Sequence, residues 1–265
     1  MSVSLKPVAV VTGASAGIGA VYAQRLAERG YDLILVARRA DRLKALSAKL
    51  DAAHGTTVEV VEADLTKDAD VTRVENMLKA NSAITLLVNN AGNSTLAPVA
   101  QTSEEDAAAM IALNVTALSR LTRAILPAFL DRNDGAIINV ASVLSLHALP
   151  ISAIYSGTKG YVMNFSRGLQ QELAETNVRL QLVMPAATAT ELWDLSGVPL
   201  ASLNQATVMT SENLVDAALA GFDKGEDITL PSVADATLWD KFDEARSALF
   251  AATQTGEPAP RYRAV

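Results

Sequence analysis

The chain has no cysteine, so disulfides, thiolate nucleophiles and cysteine-bearing metal sites are excluded. Histidine is scarce. His54 and His147 are the only two, far apart and with no carboxylate at ligand spacing, which argues against a metal site. Aromatic residues make up only 5% of the chain. Basic charge is in deficit: 22 Lys and Arg stand against 29 Asp and Glu, a net charge of -7 that gives nucleic acid no footprint. No apolar run reads as long enough to span a bilayer. Residues 1–7 hold no basic segment followed by an apolar stretch, so no signal peptide is visible. The expectation is a cytoplasmic protein whose partners include neither nucleic acid nor membrane.

What is present is apolar and aliphatic. Half of the 265 residues are hydrophobic, enough for one large α/β domain or two small ones. Short strand-like runs at 8–12, 32–37, 57–61, 84–88, 136–140, 178–184 and 228–230 alternate with helical patterns. The helical segments are 17–29, 39–53, 69–80, 104–130 (with a bend expected near Pro127), 152–175, 212–222 and 234–252. Strand-helix alternation predicts a doubly wound parallel sheet of about seven strands with helices on both faces. No linker or repeat divides the chain, so 1–265 reads as a single domain. The irregular stretch 191–210 is the expected substrate lid.

Gly13, Gly17 and Gly19 follow the first strand and open a helix. Glycines there let the backbone turn sharply and approach a pyrophosphate, which the helix N-terminus then faces with free N–H groups. The spacing is Gly-x-x-x-Gly-x-Gly. It lacks the Gly-Lys-Ser/Thr ending of a P-loop, which disfavours ATP hydrolysis. After the second strand come Ala37, Arg38 and Arg39. An acid there would bind the ribose hydroxyls, whereas arginine accommodates a 2′-phosphate. Arg38 is expected to supply the fork of donors, with Ser15 adding a hydroxyl.

Tyr155 and Lys159 stand four apart in a helical segment and so share a face. A free phenol has a pKa of about 10, and a nearby ammonium lowers it. A drop of about three units needs roughly 4 kcal/mol, to which Lys159 and a positively charged nicotinamide would both contribute. An isolated Tyr-x-x-x-Lys is more often a surface pair. Here Ser142 lies just past the fifth strand, Asn89-Asn90-Ala91-Gly92 ends the fourth, and Asn114 sits inside the long helix that follows. These positions converge on the carboxyl edge of the sheet, where ligands bind in such folds.

In this order the motifs resemble those of the short-chain dehydrogenase/reductase family over residues 7–190. The resemblance implies a Rossmann-type domain using a nicotinamide cofactor, NADP on the strength of Ala37 and Arg38. It implies the tetrad Asn114, Ser142, Tyr155 and Lys159. Tyr155 would exchange the proton with the substrate oxygen, and Ser142 would hydrogen-bond that oxygen. Lys159 would hold the ribose and depress the phenol pKa, and Asn114 would anchor a water leading to solvent. Gly13, Ser15, Gly17, Ile18, Gly19, Arg38, Arg39, Asp64, Leu65, Asn90, Ala91 and Gly92 would line the cofactor, with Asp64-Leu65 at the adenine. Pro185, Ala186, Thr188 and Thr190 would meet the carboxamide. Ala186 stands where the family commonly has glycine and is disfavoured if that position needs φ > 0.

Substrate walls are expected from Ser142, Leu144, His147, Leu149, Met184, Leu192 and Trp193. Plain core packing is an equal alternative for Leu149, Met184 and Leu192, and His147 is by default a solvated loop residue. The reading is an NADPH-preferring carbonyl reductase or alcohol dehydrogenase, assembled as a homodimer or homotetramer. Its rivals are an NAD-dependent alcohol dehydrogenase of the same family and a dinucleotide-binding regulator without chemistry.

Overall fold

The computed structural model describes residues 6–263, so residues 1–5, part of the stretch read above for a leader, lie outside it. The chain falls into two compact units, Met1–Pro231 and Ser232–Val265. Every expected site residue belongs to the first.

The first unit is a Rossmann-type α/β domain. Its strands are β1 (Val8–Thr12), β2 (Asp32–Ala37), β3 (Val58–Glu62), β4 (Ile84–Asn89), β5 (Gly135–Val140), β6 (Val178–Val183) and β7 (Ile228–Thr229). All pair in parallel, in the order β3-β2-β1-β4-β5-β6-β7. The order reverses between β1 and β4, so the crossovers on either side splay apart there and open a crevice at the carboxyl ends. Strands with both faces covered are apolar throughout, as in the β1 run Val8-Ala9-Val10-Val11.

The helices are α1 (Gly17–Glu28), α2 (Ala40–His54), α3 (Asp68–Ala80), α4 (Glu104–Arg132), α5 (Ala153–Glu172) and α6 (Ser211–Lys224). One core packs α1, α2 and α6 against the sheet through Tyr22, Leu26, Leu43, Leu50, Leu214 and Leu219. The other packs α3, α4 and α5 through Val74, Leu78, Leu121, Ile125, Phe129 and Leu169.

Two features of α4 were not marked in the sequence. It contains a π-helical turn at Ala112–Ala117, and Pro127, where a bend was expected, lies within the α-helical part Leu118–Arg132. Wide turns of this kind cluster at functional sites, and Asn114 sits in this one. The helix is also long and apolar enough, by length and composition, to cross a membrane, with a mean hydropathy of 1.3 over an 18-residue window. The sequence reading sought an unbroken apolar run and missed a helix whose polar residues are interspersed. Its apolar face, including Leu121, Ile125 and Phe129, is spent on the second core. The stretch 191–210 contains three short turns, Leu192–Leu195, Leu200–Ser202 and Gln205–Thr207.

In the second unit, α7 (Thr237–Ala252) carries the Trp239 and Phe242 rings 5.4 Å apart.

Candidate active site

The crevice is built by groups at the strand ends. Thr12 Oγ1 donates to the Val88 carbonyl at 3.2 Å and accepts the N–H groups of Asn90 and Ala91, each at 3.0 Å. The Asn90 amide donates to the Thr12 carbonyl at 2.9 Å. Asn90 therefore ties β4 to β1 at the point where the strand order reverses. Gly13 has φ of +69°, and a Cβ there would stand 2.8 Å from the Asn90 amide nitrogen. A Cβ on Gly19 would fall on the Gly13 carbonyl oxygen. Ile18 packs down onto the first core.

Helix α1 opens with neither a capping side chain nor an acid in its first turn, so its N-terminal N–H groups are not spent on a side chain. Thr190, from the loop after β6, closes over this turn, its methyl 3.0 Å from where a Gly17 Cβ would stand. A tight glycine cradle, an uncapped helix N-terminus and nearby guanidiniums fit the pyrophosphate and adenosine half of a nicotinamide dinucleotide.

The two arginines sit in different surroundings. Arg38 is exposed, in a groove shared with Asp64, Asp70 and Arg73. Arg39 is the residue that meets Ser15, its Nε and Nη2 donating to Ser15 Oγ at 3.2 and 3.1 Å. Asp64 accepts the Thr66 N–H and hydroxyl at 3.0 and 2.7 Å, which shapes the turn after β3 above buried Leu65.

The tetrad converges. Ser142 lies close enough to the Tyr155 phenol to lower its pKa, and Ser142 Oγ accepts the Leu144 N–H at 3.1 Å. Buried Lys159 donates from Nζ to the Val140 carbonyl at 3.0 Å and lies 5.8 Å from the Tyr155 ring centre. Asn114 Oδ1 accepts the Asn93 N–H at 3.0 Å, while Nδ2 donates to the Asn93 carbonyl at 2.9 Å and to Thr158 Oγ1 at 3.0 Å. Thr158 donates in turn to the Tyr155 carbonyl at 2.7 Å. Gly92 keeps this space open: a Cβ there would lie 3.2 Å from Asn114 Oδ1 and 3.5 Å from Lys159 Nζ. The Asn114 side chain is thus committed to Asn93 and Thr158, and a water held at this position would use the backbone of the π turn.

The titration of the pair is set by burial. Burial pushes the Tyr155 phenol up to about 12, and nearby Ser142 offsets this only in part. Burial pushes Lys159 down to about 8. Desolvation favours the neutral form of each, and the ammonium donates to a backbone carbonyl.

The expected substrate walls separate into three groups. Met184 is fully buried and accepts the Ser145 hydroxyl at 3.3 Å, which makes it core. Leu144, Leu192 and Trp193 are half-buried, and His147 and Leu149 are exposed. The Trp193 indole donates to the Thr188 carbonyl at 2.8 Å. Among the described residues Asn133 is the only non-glycine with positive φ, so Ala186 carries its methyl without backbone strain. Bonds from Ala189 N to Met209 O at 2.8 Å and from Met209 N to Ala187 O at 2.9 Å clamp the two ends of the 191–210 stretch. Ser196 O accepts the Leu96 N–H at 2.8 Å, which holds that stretch to the loop after β4.

Sequence reasoning missed Thr12, Asn93, Thr158, Arg42 and Glu191. Thr12 adjoins the glycine motif and Thr158 lies between Tyr155 and Lys159, so both could have been found. The others act through partners distant in sequence.

A family model described as short chain dehydrogenase matches residues 7–197. The chain is similar to the very-long-chain 3-oxoacyl-CoA reductase-B of Danio rerio, 35% identical over 193 residues, which are 71% of this chain and 62% of that protein. The chain therefore spans about three-fifths of that relative's length. Among solved structures it resembles a short-chain dehydrogenase from Sphingobium yanoikuyae in complex with NADPH. That match has 43% identity and a TM-score of 0.94, covering 97% of this chain and 100% of that one. It also resembles a bulky-bulky ketone specific alcohol dehydrogenase from Comamonas testosteroni, with 36% identity, a TM-score of 0.90, and coverage of 97% and 99%.

Proposed function

The chain belongs to the short-chain dehydrogenase family, and from that premise we propose that it is an NADPH-preferring reductase of medium-sized to bulky apolar ketones and aldehydes, working reversibly on the matching alcohols. The observation that carries this reading is the convergence of Tyr155, buried Lys159 and Asn114, with Ser142 beside the phenol, at the same sheet edge as the glycine cradle.

In the reductive direction Ser142 and Tyr155 hold the carbonyl oxygen between two hydroxyl donors. Tyr155 then gives its proton to that oxygen as negative charge develops there. Lys159 offsets the charge left on the phenolate and binds the ribose hydroxyls. Asn114, fixed by Asn93 and Thr158, holds the adjoining π turn in place for proton resupply. A bound nicotinamide supplies the hydride.

NADPH preference is supported by Ala37 in place of an acid, by the Ser15–Arg39 pair and by the NADPH-bound relative. The substrate class is supported by the apolar residues Leu144, Leu192 and Trp193 and by the ketone-specific relative. The test is a panel of aryl and bulky alkyl ketones, small 2-keto acids and a 3-oxoacyl thioester, each with NADPH and NADH. Fastest turnover on apolar ketones with NADPH is expected. A strong preference for a 2-keto acid or for NADH contradicts the reading.

A further inference from the structure

Glu191 immediately follows Thr190, which lies against Gly17 of the glycine turn. Its carboxylate bridges two guanidiniums. Oε2 accepts Arg39 Nη1 at 2.7 Å, and Oε1 accepts Arg42 Nη1 at 2.6 Å. Arg39 keeps Nε and Nη2 on Ser15 Oγ. The two arginines hold the Glu191 carboxyl below the usual carboxylate range, so it is charged at neutral pH. The protein thus places an anion of its own between two cations, at the end of β2 and beside the phosphate turn.

We propose that Glu191 is an internal competitor for the anion site of Ser15, Arg39 and Arg42, and that it limits how strongly the chain discriminates a cofactor bearing a 2′-phosphate from one bearing a free hydroxyl. This rests on the reading that the chain binds a nicotinamide dinucleotide at the glycine turn. A phosphomonoester brings three acceptor oxygens and nearly two charges, and it can bridge both guanidiniums as the carboxylate does. Exposed ion pairs are weak and exchangeable, so the dianion displaces the carboxylate. Glu191 must then leave Arg39 and Arg42, and the start of the 191–210 stretch moves with it. A cofactor without the phosphate leaves Glu191 in place. The carboxylate therefore subtracts from affinity for the phosphorylated cofactor alone.

A different role would have the opposite sign. An acceptor for the ribose hydroxyls, standing in for the acid absent at Ala37, would strengthen NADH binding instead. Fluorescence titration of the whole chain with NADPH and NADH separates the two, with adenosine 2′,5′-bisphosphate and 5′-AMP as fragment probes. Glu191→Gln and Glu191→Ala should tighten NADPH and the bisphosphate by about fivefold, the equilibrium factor an exposed ion pair can carry. NADH and 5′-AMP should be unchanged, and the difference should shrink at high salt. Arg42→Gln should weaken NADPH. Unchanged or weaker NADPH binding in both Glu191 variants, equal tightening of both cofactors, or weakened NADH overturns the proposal. A wild type that binds neither dinucleotide overturns the cofactor reading itself.

Discussion

At the scale of single residues, the proposed reduction has Tyr155 enter as an acid. Burial pushes its phenol up to about 12, so before a cofactor binds it is protonated throughout the neutral range. That state suits reduction, where the substrate oxygen needs a proton. Lys159, pushed down to about 8 from 10.5, gives a stability signature. Between these values the unfolded chain binds more protons than the folded one, so stability rises with pH through that window. Below it, both states carry the proton and the burial cost is present in full. Tyr155 acts in the opposite sense above pH 10, where the unfolded phenol ionises first, so the clean window is pH 8 to 10. The cofactor-free protein should gain on the order of 2 kcal/mol there relative to Lys159→Met, as read by urea unfolding. A flat difference would mean that Lys159 is not desolvated.

Arg39 carries the second prediction at this scale. A charge-assisted hydrogen bond to phosphate is worth about 1.5–3 kcal/mol. Arg39→Ala should therefore cost roughly ten- to a hundredfold in kcat/KM with NADPH and little with NADH. An unchanged cofactor ratio would return the phosphate to Arg38.

At the scale of elements, Arg120 adds a polar tie between α3 and α4 to their apolar packing. Arg120 donates from Nε and Nη2 to Glu75 at 3.1 and 2.6 Å, and from Nη2 to Thr72 at 2.9 Å. Its Nη1 reaches Asp68 at 2.5 Å. The Glu75 side chain is only 10% exposed, so Arg120→Ala strands a nearly buried carboxylate. The expected cost is about 1–3 kcal/mol in chemical denaturation, with turnover per folded molecule retained. A loss of turnover without a loss of stability would tie α4 to the chemistry more directly than Asn114 does. The sheet, its helices and the tetrad were legible because apolar period and fixed spacing are local signals. Tyr155 and Lys159 need only one helical turn to meet, and Ser142 needs only a strand end. The π turn left no such mark, since Asn114 is held by Asn93 and Thr158 across loops. Glu191 was illegible for the same reason, its partners lying 152 and 149 positions away.

At the scale of the whole molecule, the two longest helices leave large apolar side chains in solvent. Ile111 and Leu130 on α4 are 50% and 41% exposed, and Tyr161 on α5 is 42% exposed. Tyr161 is held in place by stacking on Phe165 at 5.8 Å and by Ser119 at 3.0 Å. Rigid, exposed apolar groups on neighbouring helices suit a two-fold interface. The account therefore expects a homodimer or homotetramer in light scattering at micromolar concentration, and a monomer there would reject it. The central claim is that Tyr155 moves the proton beside a bound nicotinamide cofactor. Single-turnover loss of NADPH fluorescence with an aryl ketone, in wild type and Tyr155→Phe, tests it most directly. The account predicts that Tyr155→Phe binds NADPH with nearly unchanged affinity and fails to consume it. Consumption at the wild-type rate would contradict the mechanism.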